Sequence, residues 1–268
     1  PYLPDELELA VANIDNPARE FMWGSPGTML TALFMFEFTQ DTRWKELYMR
    51  NVGRILGELI KVNEVDCYTW TQDLYGRTSV YLGAVHGFAA NILAIIRGKK
   101  LLDPDTIDLI EQLAADTIVR AATADKNHAN WPPELGGNRF LVQHCHGAPG
   151  MINCLAEMPV GINNEFDTLF LKGGELTWKA GPLTKGANLC HGTAGNGYAF
   201  LCLYRRTGER AWLERARAFA MHALGQWEAE LATYGRGRYS LWTGDAGLAC
   251  FLWDCVRERD AFPTLHSF

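Results

Sequence analysis

The chain has 268 residues, of which 48% are hydrophobic and 12% aromatic, and a formal net charge of −6. This is enough apolar material for one large core, and it excludes a disordered or low-complexity protein. The acidic balance supplies no global basic field, which makes nucleic acid a poor partner, and no run of about 18 apolar residues offers a membrane span.

From its start, Pro1-Tyr2-Leu3-Pro4-Asp5-Glu6, the chain has neither the basic nor the apolar region of a secretory signal. Glu20 stands four residues ahead of Gly24-Ser25-Pro26-Gly27, which opens an almost wholly apolar run from Leu30 to Phe38. The stretch from Trp44 to Ile60 is mixed, as an amphipathic helix requires. His86 precedes Gly87-Phe88-Ala89-Ala90, a weaker copy of the first glycine turn. Further copies are Gly147-Ala148-Pro149-Gly150, Gly192-Thr193-Ala194-Gly195 and Gly244-Asp245-Ala246-Gly247. After Gly192 come the apolar run Tyr198 to Tyr204, a turn at Thr207-Gly208 and a second helix. In that helix Trp212, Ala216, Phe219, Ala220, Ala223 and Leu224 share one face, opposite Glu214, Arg215 and Arg217. Arg236 and Arg238 lie in a basic turn whose guanidinium forks suit a carboxylate or phosphate.

The first glycines of these copies are 63, 60, 45 and 52 residues apart, which fits one helical hairpin per repeat. Each repeat then supplies an inner helix covered on all sides and an outer helix with one wet face. Such alternation closes as a double ring, so the sequence predicts an all-α chain forming an α/α toroid, with residues 1–268 as a single domain. The glycine turns fall where inner helices begin, where glycine permits φ > 0 or close backbone approach and a helix N-terminus attracts anions.

Two turns follow the same dipeptide, in Cys145-His146-Gly147 and Cys190-His191-Gly192. Thiolate and neutral imidazole are preferred ligands of Zn²⁺, and 45 residues separate the turns of consecutive hairpins. On this pattern all four residues can ligate, giving a closed structural site, or three can, leaving a position open for chemistry. The other five cysteines, of seven in all, give no disulfide framework, and the pattern predicts a reducing, cytoplasmic setting. Cys154, Cys202, Cys250 and Cys255 fall in apolar runs as small hydrophobes, and Cys67 falls in a polar loop.

The segments 142–150 (Val-Gln-His-Cys-His-Gly-Ala-Pro-Gly) and 185–200, which opens Lys-Gly-Ala-Asn-Leu-Cys-His-Gly, resemble the two zinc motifs of the lanthionine synthetase C-like family. Tyr81-Leu82-Gly83-Ala84-Val85-His86-Gly87 is similar to the family's active-site histidine segment, and Asn130-Trp131-Pro132-Pro133 fits the approach to its first zinc motif. The resemblance covers nearly the whole chain and is nearer the eukaryotic-type branch than the bacterial cyclases. It differs at His144, where the family often has tryptophan, at Ala90, where a glycine is usual, and in showing about five of the family's seven repeats.

The resemblance implies an open zinc site of Cys145, Cys190 and His191, with His146 a neighbour. It implies addition of a thiol, from glutathione or a peptide cysteine, to dehydroalanine or dehydrobutyrine in a peptide or protein, with formation of a thioether. His86 is then the group that protonates the enolate, Glu20 an acidic partner for it, and Lys185 a cation near bound glutathione. Arg236 and Arg238 are candidate substrate contacts on their charge alone. The alternative is a binding module that keeps zinc and glutathione without turnover.

Overall fold

The computed structural model describes residues 3–267. Its helices are α1 (Leu3–Ala12), α2 (Ser25–Thr39), α3 (Thr42–Gly57), α4 (Phe88–Arg97), α5 (Pro104–Ala121), α6 (Ala148–Leu155), α7 (Asn164–Ala180), α8 (Thr193–Thr207), α9 (Arg210–Tyr234) and α10 (Asp245–Arg257). Helices α2, α4, α6, α8 and α10 pack in sequence as an inner row, and α3, α5, α7 and α9 each pack on the inner helix that precedes them. This is the all-α, toroid-type architecture that the glycine repeat predicts. Among the described residues the fifth repeat contributes an inner helix without an outer one.

The two helix types start differently. Outer helices α3, α5 and α7 are capped by Asp41, Asp103 and Asn163, whose side chains accept from backbone amides of the first turn. All five inner helices start at a glycine with no side-chain cap. A Cβ on Gly27, Gly150, Gly195 or Gly247 would lie 2.0, 2.0, 1.8 or 2.2 Å from the carbonyl oxygen of Phe21, His144, Leu189 or Leu241. In each case that carbonyl belongs to the residue six positions upstream, so every turn doubles back under its own helix. Close approach is therefore the demand these glycines meet. Of the glycines that open the inner helices, Gly147 alone has a positive φ, at 106°.

Three short antiparallel ribbons, absent from the sequence expectation, lie in the longer connections: β1 (Ile60–Val62) with β2 (Cys67–Thr69), β3 (Gln72–Leu74) with β4 (Arg77–Ser79), and β5 (Thr123–Ala124) with β6 (Ala129–Asn130). Tyr75 and Gly76, at φ 56° and 76°, make the two-residue turn between β3 and β4. Cys67, expected in a polar loop, is buried on β2, because strand alternation turns it inward while Tyr68 faces out.

One apolar cluster runs from Ile14 to Leu265. Cover is near complete for α4, α6 and α8, but α2 leaves Phe38 86% exposed and α10 leaves Trp253 57% exposed. The expectation that inner helices are covered on all sides thus holds in the middle of the row and fails at its two ends, where one neighbour is lacking. The segment after α10 folds back into the core, with Phe262 stacked on His144 at 4.5 Å and beside Tyr198 at 4.7 Å.

Gly195→Ala is expected to lower stability by at least about 2 kcal/mol in urea unfolding, since its methyl would overlap a backbone oxygen that cannot withdraw. Gly225→Ala, in the interior of α9 with open space around it, is expected to raise stability by about 0.5–1 kcal/mol.

Candidate functional site

The turns form a rim in which backbone joins backbone. Cys145 N donates to Cys190 O at 3.0 Å, and Cys190 N donates to Trp242 O at 3.0 Å, linking the third, fourth and fifth turns. Gly83, before the second turn, lies so near the third that a Cβ there would be 2.4 Å from Cys145 O. Trp242 reaches the first turn through its ring contact with Phe21, at 5.9 Å. Residues 45 positions apart, Cys145 and Cys190, become neighbours through this ladder.

Their thiols form a pair. The Cys145 thiol is held below the ordinary value by its Cys190 neighbour; burial opposes this and the Gln143 amide, 2.8 Å away, assists. Cys190 is pushed up by the same contact and by burial. Gln143 Oε1 in turn accepts from Lys185 Nζ at 2.9 Å, which puts an ammonium one amide away from the sulfurs. His191 is half-buried beside Cys190, its imidazole pKa lowered by desolvation and then by the charges of Lys185 and Arg238. Among the described residues, Cys145, Cys190 and His191 are not a set whose donor atoms all lie within 4.8 Å of one another. The two sulfurs are gathered; the His191 ring stands further off.

Glu20 is completely buried. It accepts from Met22 N at 3.0 Å and from Trp23 N, and His86 Nδ1 lies 2.8 Å from its Oε2. A carboxylate oxygen that already accepts can only accept again, so Nδ1 carries a proton and Nε2 is the nitrogen left to exchange one. Tyr75, at the tip of the β3–β4 hairpin, sets its hydroxyl 3.3 Å from that Nε2. Nothing in the sequence pointed to Tyr75; the clue available was the Tyr-Gly pair of a tight hairpin. Gln143 stood within a zinc motif with no role given to it.

His146 lies between the two groups, its ring 6.1 Å from that of His86. Burial, with His86 adding to it, lowers its pKa to about 4, so the ring is neutral near pH 7, and its Nδ1 is buried without a partner. His144 points the other way, into the core, where Asn153 Nδ2 lies 3.0 Å from its Nδ1 and the ring packs between aromatic side chains.

Arg236 and Arg238 line a cavity of about 370 Å³ with Trp227, Glu230 and Tyr234, and the Arg238 charge is felt at His191. Both are exposed. Among the described residues no helix is long and apolar enough to cross a membrane.

Residues 2–266 match the family described as lanthionine synthetase C-like protein. The chain belongs to this family. Over 261 residues it is 28% identical to the glutathione S-transferase LANCL1 of Danio rerio, covering 91% of this chain and 61% of that protein. Over 254 residues it is 36% identical to the LanC-like protein GCL1 of Arabidopsis thaliana, covering 91% and 57%. The chain thus spans about three-fifths of the length of these lanthionine synthetase C-like relatives.

Glu20→Ala would strand two backbone amides and the His86 Nδ1 proton in a buried space. It is expected to cost about 2–4 kcal/mol in chemical denaturation, and Glu20→Gln, which keeps an acceptor, about half as much.

Proposed function

We propose that this chain adds a thiol, supplied by glutathione, to dehydroalanine or dehydrobutyrine residues of peptides or proteins in a zinc-dependent reaction. The observation that carries this reading is the pairing of the Cys145 and Cys190 thiols on the same rim as the buried Glu20–His86 pair. The printed name of the zebrafish relative, a glutathione S-transferase, supports a transferase that uses glutathione.

The donor set fits zinc: two neighbouring cysteine sulfurs and an imidazole in the residue after Cys190. Three protein ligands of this kind would leave a fourth position open. Zinc held by Cys145, Cys190 and His191 would lower the pKa of a thiol bound there and present it as thiolate at neutral pH.

Thiolate sulfur then bonds to Cβ of the dehydro residue, and the π electron pair moves to Cα and its carbonyl as an enolate. The proton that the thiol gives up is the one that returns at Cα, so a single group able to take and give it suffices. His86 suits this through Nε2, with Nδ1 fixed on Glu20. Lys185 neutralises charge near the sulfurs, and Arg236 and Arg238 offer forks for the carboxylates of glutathione. All seven cysteines are unpaired, as suits a reducing, cytoplasmic setting.

A second reading, a module that binds zinc and glutathione without turnover, is favoured by the exposed flanks of α2 and α10. Mass spectrometry of a dehydroalanine peptide incubated with glutathione separates the two. The zinc-loaded protein is expected to form adduct well above a protein-free control, Cys190→Ala to form none, and His86→Ala to keep its zinc while losing about 10²–10⁴-fold in rate. Adduct formed equally by Cys190→Ala would contradict the zinc reading, and none from the zinc-loaded protein would favour the binding module.

A further inference from the structure

Helix α8 begins at the rim and carries Cys202 as its tenth residue, toward the end of the helix away from the rim. There the segment after α10 brings two ligating side chains to it. Among the described residues, the set whose donor atoms all lie within 4.8 Å of one another is Cys202, Asp260 and His266. We propose that these three residues form a second zinc site, separate from the rim, that ties the 258–267 segment to α8.

Two donor atoms there are buried and lack a hydrogen bond: Asp260 Oδ2 and His266 Nε2. Asp260 Oδ2 is met by the Arg205 charge, but His266 Nε2 has no partner at all, and a cation would supply one. His266 is in the form that ligation needs. Its Nδ1 lies 2.8 Å from the carbonyl of Asp260, which can only accept, so the proton sits on Nδ1 and the Nε2 lone pair is free.

The surroundings orient the other two donors. Arg205 Nε lies 2.6 Å from Asp260 Oδ2 as an ion pair, which steadies the carboxylate. Cys202 is fully buried, 3.7 Å from Asn153 Oδ1, and burial together with the Asp260 charge keeps its thiol protonated in the absence of a metal. Binding of Zn²⁺ displaces that one proton, which leaves through the Asp260 side, where the carboxylate is 14% exposed.

The charges allow this. Arg97 and Arg205 are answered by Glu157 and Asp260, so a thiolate and a divalent cation enter a locally balanced cluster. Sulfur, imidazole nitrogen and carboxylate oxygen are all established zinc ligands at roughly 2.0–2.3 Å, which places donors about 3.5 Å apart, so a contraction of about 1 Å closes the set around the ion. A water completes four-coordination.

This inference does not rest on the reading of the rim, and the test keeps the two apart. Zinc per chain is measured by elemental mass spectrometry after metal loading and desalting, for the unmodified protein, Cys190→Ala, Asp260→Asn and His266→Gln. Asp260→Asn and His266→Gln alter side chains at the edge of the core, and circular dichroism identifies any variant that has not folded. The expected result is two equivalents in the unmodified protein and one in each variant, with two independent variants reporting on the second site. The proposal is overturned if folded Asp260→Asn and His266→Gln both retain the zinc content of the unmodified protein. Loss confined to Cys190→Ala would leave the rim site standing alone, and loss confined to Asp260→Asn and His266→Gln would leave the second site alone.

Discussion

Everything at the rim depends on one steric constraint: the glycine of each turn sits on the carbonyl oxygen of the residue six positions before it. A methyl group at Gly195 would stand 1.8 Å from Leu189 O; in the second turn, where Ala90 takes that place, Gly87 makes the close approach instead, 2.1 Å from Tyr81 O. Repeated along the inner row, this constraint gives each helix start the same depth and leaves the peptide groups of adjacent turns in register. The bonds Cys145 N to Cys190 O and Cys190 N to Trp242 O follow from that register, and the meeting of the two thiols follows from the bonds. A feature that reads as helix-packing economy in a single turn becomes a positioning device when it recurs.

The rim also sorts its titratable groups by environment. Glu20 is buried but met by two amides and an imidazole, so His86 is fixed in one tautomer with its free nitrogen turned to the site. His146 is buried with no such partner and is neutral. One imidazole is thus equipped to move a proton and its neighbour is not, although both precede a glycine in the sequence. The distinction comes from what each ring faces, as proton-transfer chemistry requires.

Glycine spacing and apolar periodicity made the inner and outer helices legible, because helical hairpins are local objects with local signals. The pairing of Cys145 with Cys190 was legible for the same reason, through a dipeptide repeated in phase with the hairpins. Three kinds of feature were not. The ribbons near Cys67 and Tyr75 depend on strand pairing within a long connection, and the Tyr75–His86 contact depends on where that hairpin lies. The burial of Glu20 depends on the turn that brings the Met22 and Trp23 amides onto its carboxylate and on the distant His86, none of which a local pattern marks. The cluster of Cys202 with Asp260 and His266 joins residues 58 and more positions apart, and a cysteine in an apolar helix has no feature to mark it as more than packing.

Helix α8 links the two ends of the molecule, with one proposed ligand set just before its first turn and the other beside its last. The rim is the more consequential of the two, since its open position is where a thiol would be activated. Cadmium NMR of the metal-substituted protein addresses it most directly, because the chemical shift reports the number of sulfur ligands and each site gives its own signal. The account predicts a resonance in the two-sulfur range that disappears in Cys190→Ala and moves further downfield when glutathione supplies a third sulfur. A two-sulfur resonance that survives Cys190→Ala, or that does not respond to glutathione, would contradict it.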